Sequence, residues 1–161
     1  MFNDLPLLSL LIWLPVVGGL ITLTSGDRDS TGARRIALAF SIATLLLCIP
    51  LYTNFSTTTA DMQFEERVVW IEAFNIFYHM GVDGISMPLI ILTAFITPLV
   101  VIAGWKVIQV RASQYMAAFL IMEGLMIGVF SALDAMLFYV FWEAMLIPMF
   151  LIIGVWGGER R

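Results

Sequence analysis

Two carboxylates, Glu143 and Glu123, lie where chemistry is the natural reason for a charge to be kept. Glu143 sits inside the apolar run Ala135–Trp156, and Glu123 lies in the middle of the preceding run, Ala112–Leu133. An ionised side chain in hydrocarbon is costly. It is retained where it faces a bundle interior, an aqueous cavity or a charged partner. Two such groups in succession point to proton or cation handling. Their depths agree as well. Glu123 lies 11 residues before Asp134 and Glu143 lies 9 after it. At about 1.5 Å per helical residue, both stand some 13–17 Å from that turn, in one layer near the bilayer centre. Two carboxylates close together in a dry layer would not both ionise. Whether they face each other depends on helix rotation, which spacing leaves open.

The cation that would pair with Glu143 is missing at its depth. The one lysine, Lys106, ends another apolar run, and every arginine falls in a loop or at a helix end. An unpaired buried charge is expensive. The expected partner therefore lies on a segment outside these 161 residues. The blander reading is a protonated glutamate that hydrogen-bonds between helices, and for Glu123 that reading weighs as much as proton transfer. Pro148 strengthens the case for Glu143 modestly, because it leaves the carbonyl of Ala144, the neighbouring residue, without its helical donor. Pro98 and Pro15 do the same in two other runs. Asp134 is expected to cap the helix that follows it or to gate proton exit. Asp83 and Ser86, ahead of Pro88, have the pattern of N-terminal capping groups.

Other features carry less chemistry. Gly124, Gly128 and Ala132 recur every four residues, a spacing that lets another helix come close. Cys48 is expected to pack, and most of the ten methionines to fill gaps. His79 is expected to be a hydrogen-bonded loop residue more than a proton relay. There is no phosphate-binding loop, dinucleotide fingerprint, metal-ligand spacing or haem signature.

The elements that position these groups follow from composition. The chain is 61% hydrophobic and 12% charged, about half the charge of a soluble domain. With a net charge of -4 and no basic patch, nucleic acid is excluded as a partner. Five runs reach spanning length: about Leu5–Thr24, Ile36–Thr53, Ile85–Trp105, Ala112–Leu133 and Ala135–Trp156. Each must be a helix, since lipid offers backbone groups no other partner. The first run lacks a basic leader and carries Asp4, so it reads as a retained span. The last two runs join at Asp134 as a tight antiparallel hairpin. Arg28, Arg34, Arg35, Lys106, Arg111, Arg160 and Arg161 fall on one side and Arg67 alone on the other. The N-terminus is therefore expected outside and the C-terminus on the cytoplasmic or matrix side. The expected architecture is an all-α integral membrane domain over 1–161. Its long outside loop, 54–84, is acidic. Within that loop, Val68–Tyr78 suits the membrane interface or a short strand on a neighbouring surface.

The stretches GVDGISMPL (81–89), IGVFSALD (127–134) and LFYVFWEAMLIPMFLIIGVWGG (137–158) resemble the M-type, or chain 4, membrane subunit of proton-pumping NADH:quinone oxidoreductase, respiratory complex I. The resemblance implies an antiporter-like bundle of about fourteen helices with inverted repeats, of which this chain covers the N-terminal third. It implies that Glu143 is the proton-transferring carboxylate and pairs with a lysine on a broken helix further along. Glu123 takes no role from the resemblance. No cofactor or metal is expected in this chain. NADH, flavin, iron–sulfur clusters and quinone would belong to partner subunits, and its own partners would be other membrane subunits, the lipid bilayer and protons. The membrane implied is the bacterial cytoplasmic or mitochondrial inner membrane. A subunit of a multi-chain cation/proton antiporter is the alternative, and a non-transporting membrane scaffold is the alternative of another class.

Overall fold

The structure is a computed structural model that describes residues 6–26 and 30–158. Asp4, used above to read the first run as a retained span, and Arg28, Arg160 and Arg161, used to orient the chain, lie outside the described residues. Among the described residues, five helices are long and apolar enough to cross a membrane. They are α1 (Leu7–Thr24), α2 (Ser30–Thr53), α3 (Ser86–Val107), α4 (Ala112–Ser131) and α5 (Ala135–Trp156). With 18 to 24 residues each, they measure about 27–36 Å, enough to cross hydrocarbon of about 30 Å.

α4 is the hub and packs against the other four helices. Its small residues make this possible. A Cβ on Gly124 would strike the Ile12 carbonyl oxygen and come within 2.6 Å of Val16. One on Gly128 would stand 2.8 Å from the Phe141 ring of α5. From the α1 side, a Cβ on Gly19 would lie 2.7 Å from Ile121 and 2.9 Å from the Ala117 carbonyl. The four-residue spacing thus serves two neighbours, α1 at Gly124 and α5 at Gly128. Van der Waals contact holds membrane helices together when lipid is as apolar as the partner, so close approach is the main source of packing energy.

Two expectations need correction. The domain is not all-α. The long loop folds into an antiparallel β-hairpin, β1 (Gln63–Ile71) and β2 (Ile76–Val82), paired Glu66↔Met80, Arg67↔His79, Val68↔Tyr78 and Val69↔Phe77. The β-branched and aromatic run does form strand, but its partner strand comes from the same loop. A single 3₁₀ turn, Glu72–Phe74, and Asn75 in the left-handed region (φ 53°) close the hairpin. Asn tolerates that region because its short side chain bonds locally. The second correction is the start of α2. It begins at Ser30, six residues before Ile36, so Arg34 is helical and buried. Its Nη2 donates to the Ile108 carbonyl at 2.7 Å, placing a cation on the orphan carbonyl end of α3.

The hairpin is tied to both sides of the bundle. The Leu133 N–H donates to the His79 carbonyl at 2.8 Å, and Met80 bridges to Ala132. On the α1 side, Glu66 Oε1 accepts the backbone N–H groups of Leu8 (2.8 Å) and Ser9 (3.1 Å), while the Ser9 hydroxyl donates to Oε2. The Tyr78 hydroxyl joins Ser9 Oγ at 3.0 Å and accepts from Trp13 Nε1 at 3.2 Å. Pro6, at the N-cap of α1, offers no side-chain cap. A carboxylate 58 residues downstream supplies it.

The apolar core divides into two clusters. At the hairpin end are Leu51 of α2, Ile90 and Ala94 of α3 and Ile127 of α4, with Leu8, Leu11 and Ile12 of α1. Toward the opposite end are Ala37, Val101, Met116 and Leu120.

Candidate proton-handling carboxylates

Glu143 emerges from α5 on the open face of the bundle. It is exposed and has no partner among the described residues. Its neighbours Tyr139, Val140, Trp142 and Ile147 are exposed too. α5 is the least enclosed of the five helices, with 3 buried residues against 11 on α4. The side that does pack carries Leu137, Phe141 and Pro148. Pro148 therefore lies against the bundle, in a continuous helix, and frees the Ala144 carbonyl one residue from Glu143.

Glu123 is the opposite case. It is 1% exposed, and neither carboxyl oxygen has a hydrogen-bond partner among the described residues. It borders a cleft of about 250 Å³ between α3 and α4, with Thr93, Thr97, Met122 and Met126. Thr97 lies beside the carboxyl, short of hydrogen-bond geometry. Its hydroxyl donates instead to the Thr93 carbonyl at 3.1 Å. The structure does not bring the two glutamates together. Glu123 is turned toward α3, and Glu143 points away from all four other helices.

Asp134 is the N-cap of α5. Oδ1 accepts from Met136 N at 2.9 Å and Leu137 N at 3.1 Å, and Oδ2 accepts from Phe77 N at 3.3 Å. The Leu137, Phe77 and Met136 amides, with His79 nearby, hold its carboxyl below the usual aspartate range. A side chain held ionised by three amides fits the capping expectation. Asp83 and Ser86 cap reciprocally at the start of α3. Asp83 Oδ1 accepts from Ser86 N (2.7 Å) and Ile85 N (3.0 Å), and Ser86 Oγ accepts from Asp83 N at 2.9 Å. Those amides, that of Ser86 first, also hold the Asp83 carboxyl below its usual range. His79 Nε2 lies 3.1 Å from Glu65 Oε2 on the hairpin surface; it is hydrogen-bonded as expected, but from strand β2 and not from a loop. Cys48 is free and buried, as packing requires.

Sequence reasoning missed Glu66, which looked like one acid among several in the loop. It also missed Ser41, Thr44 and Thr97, all buried. The available signal was a hydroxyl in the middle of each otherwise apolar run. No group of three or more His, Cys, Asp or Glu side chains that could hold a metal occurs among the described residues.

Residues 10–131 match a family profile described as NADH-ubiquinone oxidoreductase chain 4, amino terminus. The chain is 44% identical to NADH-ubiquinone oxidoreductase chain 4 of Arabidopsis thaliana, over 96% of its own length and 31% of that protein. It is 43% identical to NADH-quinone oxidoreductase subunit M of Rhodobacter capsulatus, over 96% of this chain and 30% of that one. It is 40% identical to F(420)H(2) dehydrogenase subunit M of Methanosarcina mazei, over 98% and 31%. The fold matches a chain of respiratory complex I from Thermus thermophilus with a TM-score of 0.75 at 28% identity, covering 94% of this chain and 30% of that one. The chain thus spans about a third of the length of the relatives it matches. With its five apolar helices, capped hairpin and two glutamates within the spans, this multi-pass membrane protein belongs to the NADH-ubiquinone oxidoreductase chain 4 family, whose amino-terminal region it matches.

Proposed function

We propose that this chain belongs to a proton-translocating membrane subunit of an NADH:quinone oxidoreductase, and that Glu143 is the group in it that takes up and releases the proton. One observation carries the reading. Glu143 stands in the middle of a 22-residue apolar helix, exposed on its open face, with no cation beside it among the described residues. A carboxylate there is too costly to keep for packing, and its open face offers it to a partner outside the described residues. In the reading taken from the family resemblance, that partner is a lysine further along the subunit.

The mechanism is electrostatic. Redox events in partner subunits shift the cation toward or away from Glu143. Approach of the cation favours the carboxylate and releases the proton, and withdrawal favours the acid and takes one up. Pro148 supports this by freeing a carbonyl where water can approach. The electron donor is not set by this region, since an F(420)H(2) dehydrogenase subunit shares it at 40% identity. The reading also carries the orientation expected from the basic residues, with the hairpin on the outer side.

The test is Glu143→Gln in the full subunit, with its complex reconstituted in vesicles. Proton uptake should be lost while assembly is retained. Normal uptake in an assembled variant overturns the role.

A further inference from the structure

The two apolar clusters of the core are separated by a layer that is polar on three helices at once. α2 buries Ala37, Ser41, Thr44 and Cys48; α3 buries Ile90, Ala94, Thr97 and Val101; α4 buries Met116, Leu120, Glu123 and Ile127. Each face steps by four, three and four residues, the spacing of a buried helix stripe. In each, the flanking positions join the apolar clusters, while the central ones carry Ser41 and Thr44, Thr97, and Glu123. Thr93, Ser113 and Ser131 are buried elsewhere on α3 and α4, so what singles out this level is the carboxyl of Glu123, which lines one cleft with Thr97.

The chemistry of the layer is that of a proton site. Ser41 Oγ and Thr44 Oγ1 donate to carbonyls of their own helix, both at 2.9 Å, as Thr97 does at 3.1 Å. Each hydroxyl oxygen therefore keeps lone pairs free to accept. Pro98 adds an acceptor, because it leaves the Ala94 carbonyl without its helical donor. Glu123 is the one group that could supply a proton to this set, and both its oxygens are unpartnered. Among the described residues no countercharge faces it. α1 brings no titratable side chain, and Glu143 of α5 faces away. From α2, Cys48 lies within electrostatic reach, and Arg34 is engaged with the Ile108 carbonyl. Lys106 is exposed at the far end of α3. A bare carboxylate here would be an uncompensated buried charge, so the resting group carries its proton.

We propose that Ser41, Thr44, Thr97 and Glu123 form a proton-storage layer distinct from Glu143, which Glu123 fills and empties through the cleft between α3 and α4. The step is a simple transfer. Rotation of the Glu123 side chain first turns its enclosed carboxyl into the cleft; the O–H bond then breaks, its electron pair stays on the carboxylate, and the proton passes to a water there. Rotation of the Thr97 hydroxyl away from the Thr93 carbonyl then lets it donate to the new carboxylate. The cleft, of about 250 Å³, is lined mostly by apolar side chains, and Thr93, Thr97 and Glu123 are the polar ones a water entering it would meet. The inference deepens the proton-handling reading above but does not use Glu143.

The test is infrared difference spectroscopy on the full subunit in its native membranes, following the C=O stretch of protonated carboxyls on transfer to D2O. Glu123→Gln should remove one exchangeable band, and Glu143→Gln should leave that band in place. Thr97→Val, which keeps the shape and removes the O–H, should slow its exchange about tenfold, as loss of one hydrogen bond to a charged group predicts. A spectrum unchanged by Glu123→Gln, a lost band that never exchanges, or exchange indifferent to Thr97→Val overturns the proposal. Should Glu123→Gln fail to assemble, Thr97→Val alone decides by whether the carboxyl exchange slows. The two readings separate cleanly. Lost uptake in Glu143→Gln with an inert Glu123 band sinks the storage layer alone, and normal uptake with an exchanging band sinks only the role of Glu143.

Discussion

Glu66 Oε1 accepts the backbone N–H of Leu8 at 2.8 Å and so joins the first turn of α1 to a strand 58 residues away. The bond does two jobs. It satisfies orphan amides that Pro6 leaves uncapped, and it fixes where the hairpin sits over the bundle. Replacing Glu66 by Ala should therefore loosen both partners. The expected loss is about 1–2 kcal/mol, read as faster amide exchange in the first turn of α1 and along β1. Glu66→Gln, which keeps one acceptor oxygen, should lose less. Equal losses in the two variants would show that capping is not the source.

Asp134 decides between a cap and a gate. Asn caps about as well as Asp, so Asp134→Asn should retain proton uptake close to that of the parent, whereas Asp134→Ala should fray the start of α5. A collapse of uptake in the Asn variant, with the helix intact by amide exchange, would make Asp134 a proton carrier instead.

The same residue predicts a pH response. Its folded pKa lies below the ordinary 3.8, so the folded form favours the carboxylate. The stabilisation is full above 3.8 and is lost as pH falls below it through the folded value. Acid should thus release the Leu137, Met136 and Phe77 amides to exchange, and Asp134→Asn should abolish that step. An acid step of the same size in the Asn variant would assign the response to another group, Asp83 foremost.

Gly124 tests the packing of the hub. A methyl there meets the Ile12 carbonyl and Val16, and backbone cannot yield as a side-chain tip can. Gly124→Ala should cost about 1–3 kcal/mol, seen as a lower melting temperature of the purified protein in detergent. An unchanged melting temperature would mean that α1 and α4 sit further apart than 2.6 Å from Cβ to Val16 implies.

Glu143 carries a graded prediction. Glu143→Asp keeps the acid but draws it back by one methylene, so uptake should fall only in part. Glu143→Gln should lose about 10²-fold or more, the usual contribution of a positioned acid or base. The measurement is initial uptake rate in reconstituted vesicles at matched subunit content.

The five spans, the turn at Asp134 and the presence of two carboxylates within the spans could be read from the residue order. Hydropathy decides spans because hydrocarbon offers backbone amides no partner outside a helix. Capping by Asp83, Ser86 and Asp134 was equally local, a matter of side chains within three residues of the amides they meet. What the order could not decide was rotation. Helices apolar on every side carry no stripe that names the inward face, so only packing could turn Glu123 toward Thr97 and leave Glu143 on the open side of α5. Nor could it show that Glu66 caps α1 or that Arg34 closes α3. Those bonds join residues 58 and 74 positions apart, and nothing short of the folded chain brings their atoms within reach.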